Sequence, residues 1–111
     1  MKFVDCQSVT GTAGAIWGIE TDDLDATVVR WNEGKGVNLH TNNEVDVVMI
    51  VISGEGNAIV GNEQLHLHEG VMVIIPKTVE RSIIATKGAL TYINVHKRKK
   101  KLMPNMERAK I

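Results

Sequence analysis

The chain has 111 residues, of which 43% are hydrophobic and 23% charged; this size and composition fit one globular domain and exclude wholesale disorder. Its single cysteine, Cys6, excludes a disulfide framework within the chain, and its longest apolar run, residues 47–52, is too short to cross a membrane. Because the N-terminal residues lack the apolar run of a signal peptide, we expect a cytoplasmic protein.

Strand signals recur in chain order, and helical periodicity is almost absent. Short β-branched runs alternate with turns rich in Gly, Asn and Asp, and their spacing of about ten residues predicts a sandwich or barrel. The expected strands are 13–19, 26–31, 45–52, 57–60, 64–67, 71–75, 81–85 and 89–95, with turns at 53–56 and 87–88 among those between them.

Two of these strands carry apolar residues in both alternation phases. Residues 47–52 and 71–75 are apolar throughout, and successive side chains of a strand face opposite sides. One face can line the barrel interior, but a chain of this length has little protein left to cover the other. We therefore expect a homodimer built on the outer face.

The charge of the chain changes near its C-terminus. Residues 97–111 hold seven basic residues and Glu107, whereas residues 1–96 hold six basic and twelve acidic residues. The net charges of +6 and −6 predict a barrel domain over 1–96 and a basic tail over 97–111. The tail could pair with its own acidic body, a neighbouring subunit or an outside polyanion; lacking interleaved aromatics, it does not favour nucleic acid.

The stretch with the most chemistry follows the glycine turn at residues 34–36. Its polar side chains alternate at His40, Asn42, Glu44 and Asp46, and in an extended chain such positions share one face, about 7 Å apart. Imidazole, carboxamide and carboxylate groups together suit a divalent metal or a polar ligand.

This pattern resembles the two motifs of the cupin superfamily. The family's first motif is Gly, five residues, His-x-His, three or four residues, Glu, six residues and Gly. This sequence reads Gly34, five residues, His40-x-Asn42, three residues, Asp46, seven residues and Gly54. The second begins with Gly70, five residues and Pro76, but then departs from the family pattern, with Thr78 at a glycine position and Arg81 at a histidine position. The resemblance covers about residues 26–95 and implies an all-β, double-stranded β-helix (jelly-roll) barrel.

The resemblance places the family's metal-ligand positions at His40, Asn42, Asp46 (or Val47) and Arg81. Of these, His40 and Asp46 are the candidate metal ligands. Asn42 binds divalent ions weakly, and a guanidinium cannot ligate them. We therefore expect no cofactor, with a divalent Fe, Mn, Zn or Ni ion as the alternative. Arg81 could form an ion pair with Asp46 or bind a carboxylate or phosphate group.

Three further groups complete the candidates. Trp31 and Met49 could line a ligand pocket, although core packing explains both. His66 and His68 share a face that alternation places outside the barrel.

The resemblance and the residues together leave three functions open. The favoured one is a small single-domain cupin that binds a small molecule, including an anion, through His40, Asn42, Asp46, Arg81, Trp31 and Met49, without an intact metal site. The second is a metal-dependent cupin enzyme, isomerase- or dioxygenase-like, with a reduced ligand set. The third is an interaction protein recruited through its basic tail. Whether the chain is an enzyme is left open by the sequence.

Overall fold

A computed structural model describes residues 1–99, which form an all-β barrel of seven strands. The strands are β1 (Ala13–Glu20), β2 (Leu24–Trp31), β3 (Gly36–His40), β4 (Val47–Val60), β5 (Glu63–Leu67), β6 (Met72–Ile75) and β7 (Arg81–Lys97). This confirms the predicted all-β class. Within these residues no helix is long and apolar enough to cross a membrane.

Two long strands, β4 and β7, pair with each other along most of their length and hold the barrel together. Every pairing is antiparallel; β1 and β2 extend the sheet on one side of β7, β5 and β6 pair with β4, and β3 pairs with β7. The larger half-sheet contains β1, β2, β6, the first part of β4 and the last part of β7. The smaller half-sheet contains β3, β5 and the remaining parts of β4 and β7.

The predicted turns at 53–56 and 87–88 are wrong, because both segments are bends inside continuous strands. Three register shifts between Val51 and Gly56 let β4 turn from one half-sheet into the other. Gly54 adopts a φ of +83°, and a Cβ there would lie 2.0 Å from the carbonyl oxygen of Ala89. Only glycine fits this close approach.

The core lies between the two half-sheets and draws on both. Its largest fully buried side chains are Tyr92, Met49, Leu67, Leu90 and Val51. Burying such a set of side chains removes several hundred square ångströms of apolar surface from water, which is the main term holding a domain of this size together.

Candidate ligand-binding site

Two connections bridge the half-sheets at one end of the barrel, which we call the crossover end. Residues 41–46 lead from β3 to β4, and residues 76–80 lead from β6 to β7. The two connections are hydrogen-bonded to each other, since Thr78 N–H donates to the Asn42 carbonyl oxygen over 2.7 Å. The candidate residues His40 and Arg81 lie at this end, opposite each other on β3 and β7.

Arg81 is the most unusual residue of the crossover end, because it is a charged side chain with only 4% of its surface exposed. Its Nη2 donates to the Pro76 carbonyl oxygen over 3.1 Å, whereas its Nε is buried without any hydrogen-bond partner. In residues 1–99 no carboxylate forms an ion pair with it. Burial lowers the pKa of the guanidinium from its usual value. Arg81 therefore brings a buried and uncompensated positive charge to this end.

Asp46 does not pair with Arg81. Its Oδ1 accepts a hydrogen bond of 2.8 Å from the backbone N–H of Lys77, and the residue is exposed. The ion pair that the sequence suggested between the two is therefore absent from the described structure. Asp46 instead ties one connection of the crossover end to the other.

Asn42 is also occupied by the backbone. Its Oδ1 accepts hydrogen bonds from the N–H groups of Glu44 and Val45, at 2.8 and 3.3 Å. This turn ends the extended chain at His40, so the expectation that residues 40–46 present alternate side chains on one face is wrong. The short polar side chains that looked like ligands shape the connection.

His40 is exposed, and its Nδ1 lies 3.0 Å from the carbonyl oxygen of Asn38. As direct partners in an antiparallel pair, His40 and Arg81 project on the same side of the sheet. Among the described residues, Nε2 of the His40 ring has no hydrogen-bond partner.

The family's metal does not fit these residues. Arg81 occupies the fourth ligand's position with a fixed positive charge, and the oxygen of Asn42 is engaged by two N–H groups. Of the residues that the structure describes, no group of three His, Cys, Asp or Glu side chains is arranged to hold a metal ion. His40 and Asp46 alone make an incomplete ligand set.

Trp31 and Met49 belong to the core rather than to the crossover end. Met49 is fully buried, and Trp31 Nε1 donates to the hydroxyl of Tyr92 over 3.2 Å. Burial raises the pKa of Tyr92, and the hydrogen bond from Trp31 opposes part of that rise. Trp31 is paired with Leu90, nine residues along β7 from Arg81.

A row of polar side chains, here called the polar row, lies on the inner face of the larger half-sheet and was not predicted from the sequence. Thr27 is paired with Asn94 and Asp25 with His96, all four are half-buried, and they alternate with outward apolar residues. They share the inner phase of β2 and β7 with Val29 and Tyr92. His96 is the residue before the end of β7, at the crossover end. The alternation of residues 92–96 could have revealed this row, because it places Asn94 and His96 in the same phase as Tyr92.

Two clefts lie away from Arg81. One, of about 730 Å³, crosses the outer face of the smaller half-sheet; one polar group at its edge is His66, which lies 3.1 Å from Glu55. Its lining contains no Lys, Arg, Asp or Glu. The other, of about 580 Å³, runs beside β1 and reaches Asp25 and Thr27 of the polar row. The predicted outward orientation of His66 and His68 is confirmed by their exposure.

No protein-family model matches the chain, and no curated protein matches it. Solved structures, in contrast, do match the chain. A conserved protein with a double-stranded β-helix domain from Klebsiella pneumoniae superposes with a TM-score of 0.77, at 18% identity over 86% of this chain and 84% of that chain. A cupin protein from Bacteroides fragilis gives a TM-score of 0.67, at 16% identity over 86% and 89%. A cupin-2 domain-containing protein from Shewanella frigidimarina gives 0.63, at 24% identity over 76% and 78%.

At these identities the similarity concerns the fold. The strand order, the two long bent strands and the paired connections at one end agree with it. The chain therefore has the double-stranded β-helix fold of the cupin superfamily.

Proposed function

We propose that this small cupin domain binds a small anion, a carboxylate or phosphate group on a small molecule, at the crossover end without the family's metal. The proposal rests on Arg81, which is 96% buried. Its Nε has no hydrogen-bond partner and, within residues 1–99, no carboxylate forms an ion pair with it. The proposal keeps the cytoplasmic location expected from the sequence.

A buried charge without a counter-charge is costly, and a buried polar group without a hydrogen bond costs about 1–3 kcal/mol. An anion bound beside Arg81 would remove both penalties at once, because it supplies a negative charge and an acceptor for Nε. Charge-assisted hydrogen bonds of this kind are about twice as strong as neutral ones.

Two neighbouring groups give the ligand its remaining contacts in this proposal. His40 lies on the solvent side of Arg81 and offers a ring nitrogen to the anion or to its attached group. Asn94 and Thr27 of the polar row offer uncharged donors and acceptors from the opposite half-sheet. We do not assign Trp31 or Met49 a direct contact with the ligand, because both pack in the core and Met49 has no exposed surface.

The two alternative functions have less support. A metal-dependent reaction lacks a fitting donor set, as described above. Recruitment through the tail is weakened because Arg98, near its start, already contacts the barrel. The Arg98 backbone N–H donates to the Asp23 carbonyl oxygen, and Arg98 Nη2 lies 3.6 Å from Glu20 Oε1. Residues 100–111 lie outside the described structure.

The test measures thermal stability and arginine Nε–H resonances while inorganic phosphate or malonate is added at constant ionic strength. For the wild type we expect a saturable rise in melting temperature and a shift of the Nε–H resonance that Arg81→Lys removes. Arg81→Met should lose the rise. His66→Gln, at the edge of the outer cleft, is the matched control and should keep it.

Two results would overturn the proposal. One is an anion response that persists in Arg81→Met, which would place the anion elsewhere. The other is a wild type whose stability and Arg81 resonance ignore both anions up to concentrations at which any physiological ligand would bind.

A further inference from the structure

Asp25 is a second uncompensated charge on the inner side of the barrel, and its sign is opposite to that of Arg81. It is half-buried and shares the inward phase of β2 with Thr27 and Val29. Within residues 1–99 no Lys, Arg or His side chain forms an ion pair with it. Among the same residues its carboxylate accepts one side-chain hydrogen bond, from the Thr27 hydroxyl to Oδ1 over 3.5 Å. Most of its capacity to accept hydrogen bonds is therefore left for a ligand.

His96, the cross-strand partner of Asp25, does not neutralise this charge. Its Nδ1 lies 2.7 Å from the carbonyl oxygen of Lys97, which can only accept, so this nitrogen carries the proton of the neutral ring. The other ring nitrogen, Nε2, then has a lone pair and no proton to donate to a carboxylate.

The fold places Asp25 and Arg81 at the same end of the barrel, on facing half-sheets. β7 pairs with β4 on one side; on its other side it pairs with β3 before the bend at 87–88 and with β2 after it. The bend therefore lays β2 opposite β3. Arg81 lies six residues before the bend and Asn94 six residues after it, so the Asp25–His96 pair is one inward position nearer the crossover end.

Open space adjoins the carboxylate of Asp25. The cleft of about 580 Å³ beside β1 borders both Asp25 and Thr27. These side chains are in the inward phase, so the cleft lies on the inner side of the sheet, where β1 extends beyond β2. Facing sheets lie about 10 Å apart, so a molecule that reaches from Arg81 to Asp25 is short, with about two to four carbon atoms between its charged groups.

The connections that form the rim of the crossover end are acidic. Residues 21–23, 41–46 and 76–80 carry five acidic residues and one basic residue. Lys2 and Arg98 donate to carbonyl oxygens at the turn between β1 and β2 and offset part of this charge. An acidic rim weakens the binding of a purely anionic ligand more than that of a ligand without net charge.

We infer that the ligand of the crossover end is a zwitterion, a small molecule whose carboxylate or phosphate group binds Arg81 and whose ammonium group binds Asp25. The inference rests on the proposed function, because Arg81 must hold the anionic group. One ligand then supplies the missing counter-charge to both residues, and its two charged groups together fix its orientation. Amino acids and aminoalkyl phosphates are the chemical classes that carry both groups.

The experiment is isothermal titration calorimetry of the full chain with two pairs of compounds, at neutral pH and constant ionic strength. O-Phosphoethanolamine is compared with ethyl phosphate, and 4-aminobutyrate with butyrate, so that each pair differs by the ammonium group alone. We expect the ammonium compound of at least one pair to bind the wild type about tenfold more tightly than its partner, or better. The pair that binds more tightly identifies the anionic group as phosphate or carboxylate.

Three variants assign the contacts. Asp25→Asn preserves the size of the side chain and removes its charge, so it should bind both members of a pair equally and keep the wild-type affinity for the amine-free anion. Asp22→Asn is the matched control, because Asp22 is exposed in the turn between β1 and β2 at the same end. It makes the same change of charge and should keep the preference for the ammonium compound. Arg81→Met should bind none of the compounds.

The inference and the proposed function fail in different ways. If the wild type binds the amine-free anions without preferring the ammonium compounds, the inference is wrong and the anion site stands. The inference is also wrong if Asp25→Asn keeps the preference, or if Asp22→Asn loses it as completely, because the acidic rim would then attract the ammonium group. A wild type that binds none of the four compounds overturns the proposed function and the inference together.

Discussion

The two half-sheets share strands β4 and β7 but differ in which residues of β7 face inward. In the smaller half-sheet, β7 turns Ile83 and Ala85 into the core, both at least 94% buried, and Ser82 outward. In the larger half-sheet, the same strand turns Asn94 and His96 inward and leaves Val95 on the outer face. The inward residues of β7 become polar only beyond Tyr92.

This difference shows that the apolar phase of a strand need not face the barrel interior. At the crossover end of the larger half-sheet the inner face carries half-buried polar side chains, whereas the outer face is apolar. In the smaller half-sheet Arg81 is the buried charged residue of β7, while Ile84 on the same strand is apolar and 45% exposed.

The largest expected effect contrasts two methionines of the larger half-sheet. Met49 faces the interior with no exposed surface, and Met72, which pairs with Ile50, faces outward from β6 at 66% exposure. Met49→Ala should lower the free energy of unfolding by about 2–5 kcal/mol because it leaves a cavity. In dilute protein Met72→Ala should change it by less than about 0.5 kcal/mol. Urea denaturation measures both, and equal losses would contradict the assignment of faces.

The second prediction concerns the buried Arg81 and the half-buried Arg30. Arg81→Met should raise the free energy of unfolding by about 1–3 kcal/mol without added anion, because it removes an uncompensated charge and an unsatisfied Nε. Arg30→Met is the control, since Arg30 makes hydrogen bonds to Thr91 and to three backbone carbonyls. It should lower the free energy of unfolding by a similar amount. A less stable Arg81→Met protein would mean that Arg81 serves the fold rather than a ligand.

Sequence reasoning predicted most strands because local alternation and turn residues determine them. It split β4 and β7 in two, since a glycine-rich segment such as 53–56 suits a turn as well as a bend. Only the pairing of Glu55 with Lys87 and of Gly56 with Ala85, across 29 or more residues, decides between them. That information is not local.

The candidate site was predictable in position but not in chemistry. The motif spacing located His40 and Arg81 at one end of the barrel, where they are direct cross-strand partners. It could not show that Asn42 and Asp46 bind backbone N–H groups, because this depends on how two connections distant in sequence meet. Nor could it reveal Asn94 as an inward residue, since polar residues of a strand normally face water.

Tyr92 marks the boundary between the dry core and the polar row. Its pKa is raised above the usual value near 10 by burial, so the neutral phenol is favoured in the folded state. The stability from this shift is fully present below pH 10 and should be lost as the pH rises through the higher folded pKa, because the unfolded chain ionises first. Tyr92→Phe should lack this alkaline loss.

Tyr92 is the only tyrosine, so tyrosinate absorbance reports its titration directly. Trp31→Phe should raise the pKa further by removing the hydrogen bond that lowers it. A Tyr92 that ionises at its ordinary pH in the folded protein would show that water from the polar row penetrates to this depth, and would move the boundary inward.

The smallest expected change in the free energy of unfolding concerns the connection of residues 76–80, which leads from β6 to β7. Among residues 1–99, Thr78 is the only non-glycine residue with a positive φ, 72°, at the position where the family motif has glycine. A β-branched residue is strained in this conformation, by about 1–2 kcal/mol, and glycine's greater freedom in the unfolded chain offsets part of the relief. Thr78→Gly should therefore raise the free energy of unfolding by about 1 kcal/mol or less.

Thr86→Gly, at an exposed strand position without positive φ, is the control and should lower the free energy of unfolding by about 0.5–1 kcal/mol. Both variants should keep the anion response, because neither touches Arg81. If Thr78→Gly were stabilised yet lost that response, the strained threonine would be holding the connection in the binding conformation. The strained backbone would then lie in residues 76–80, at the crossover end where the anion is proposed to bind.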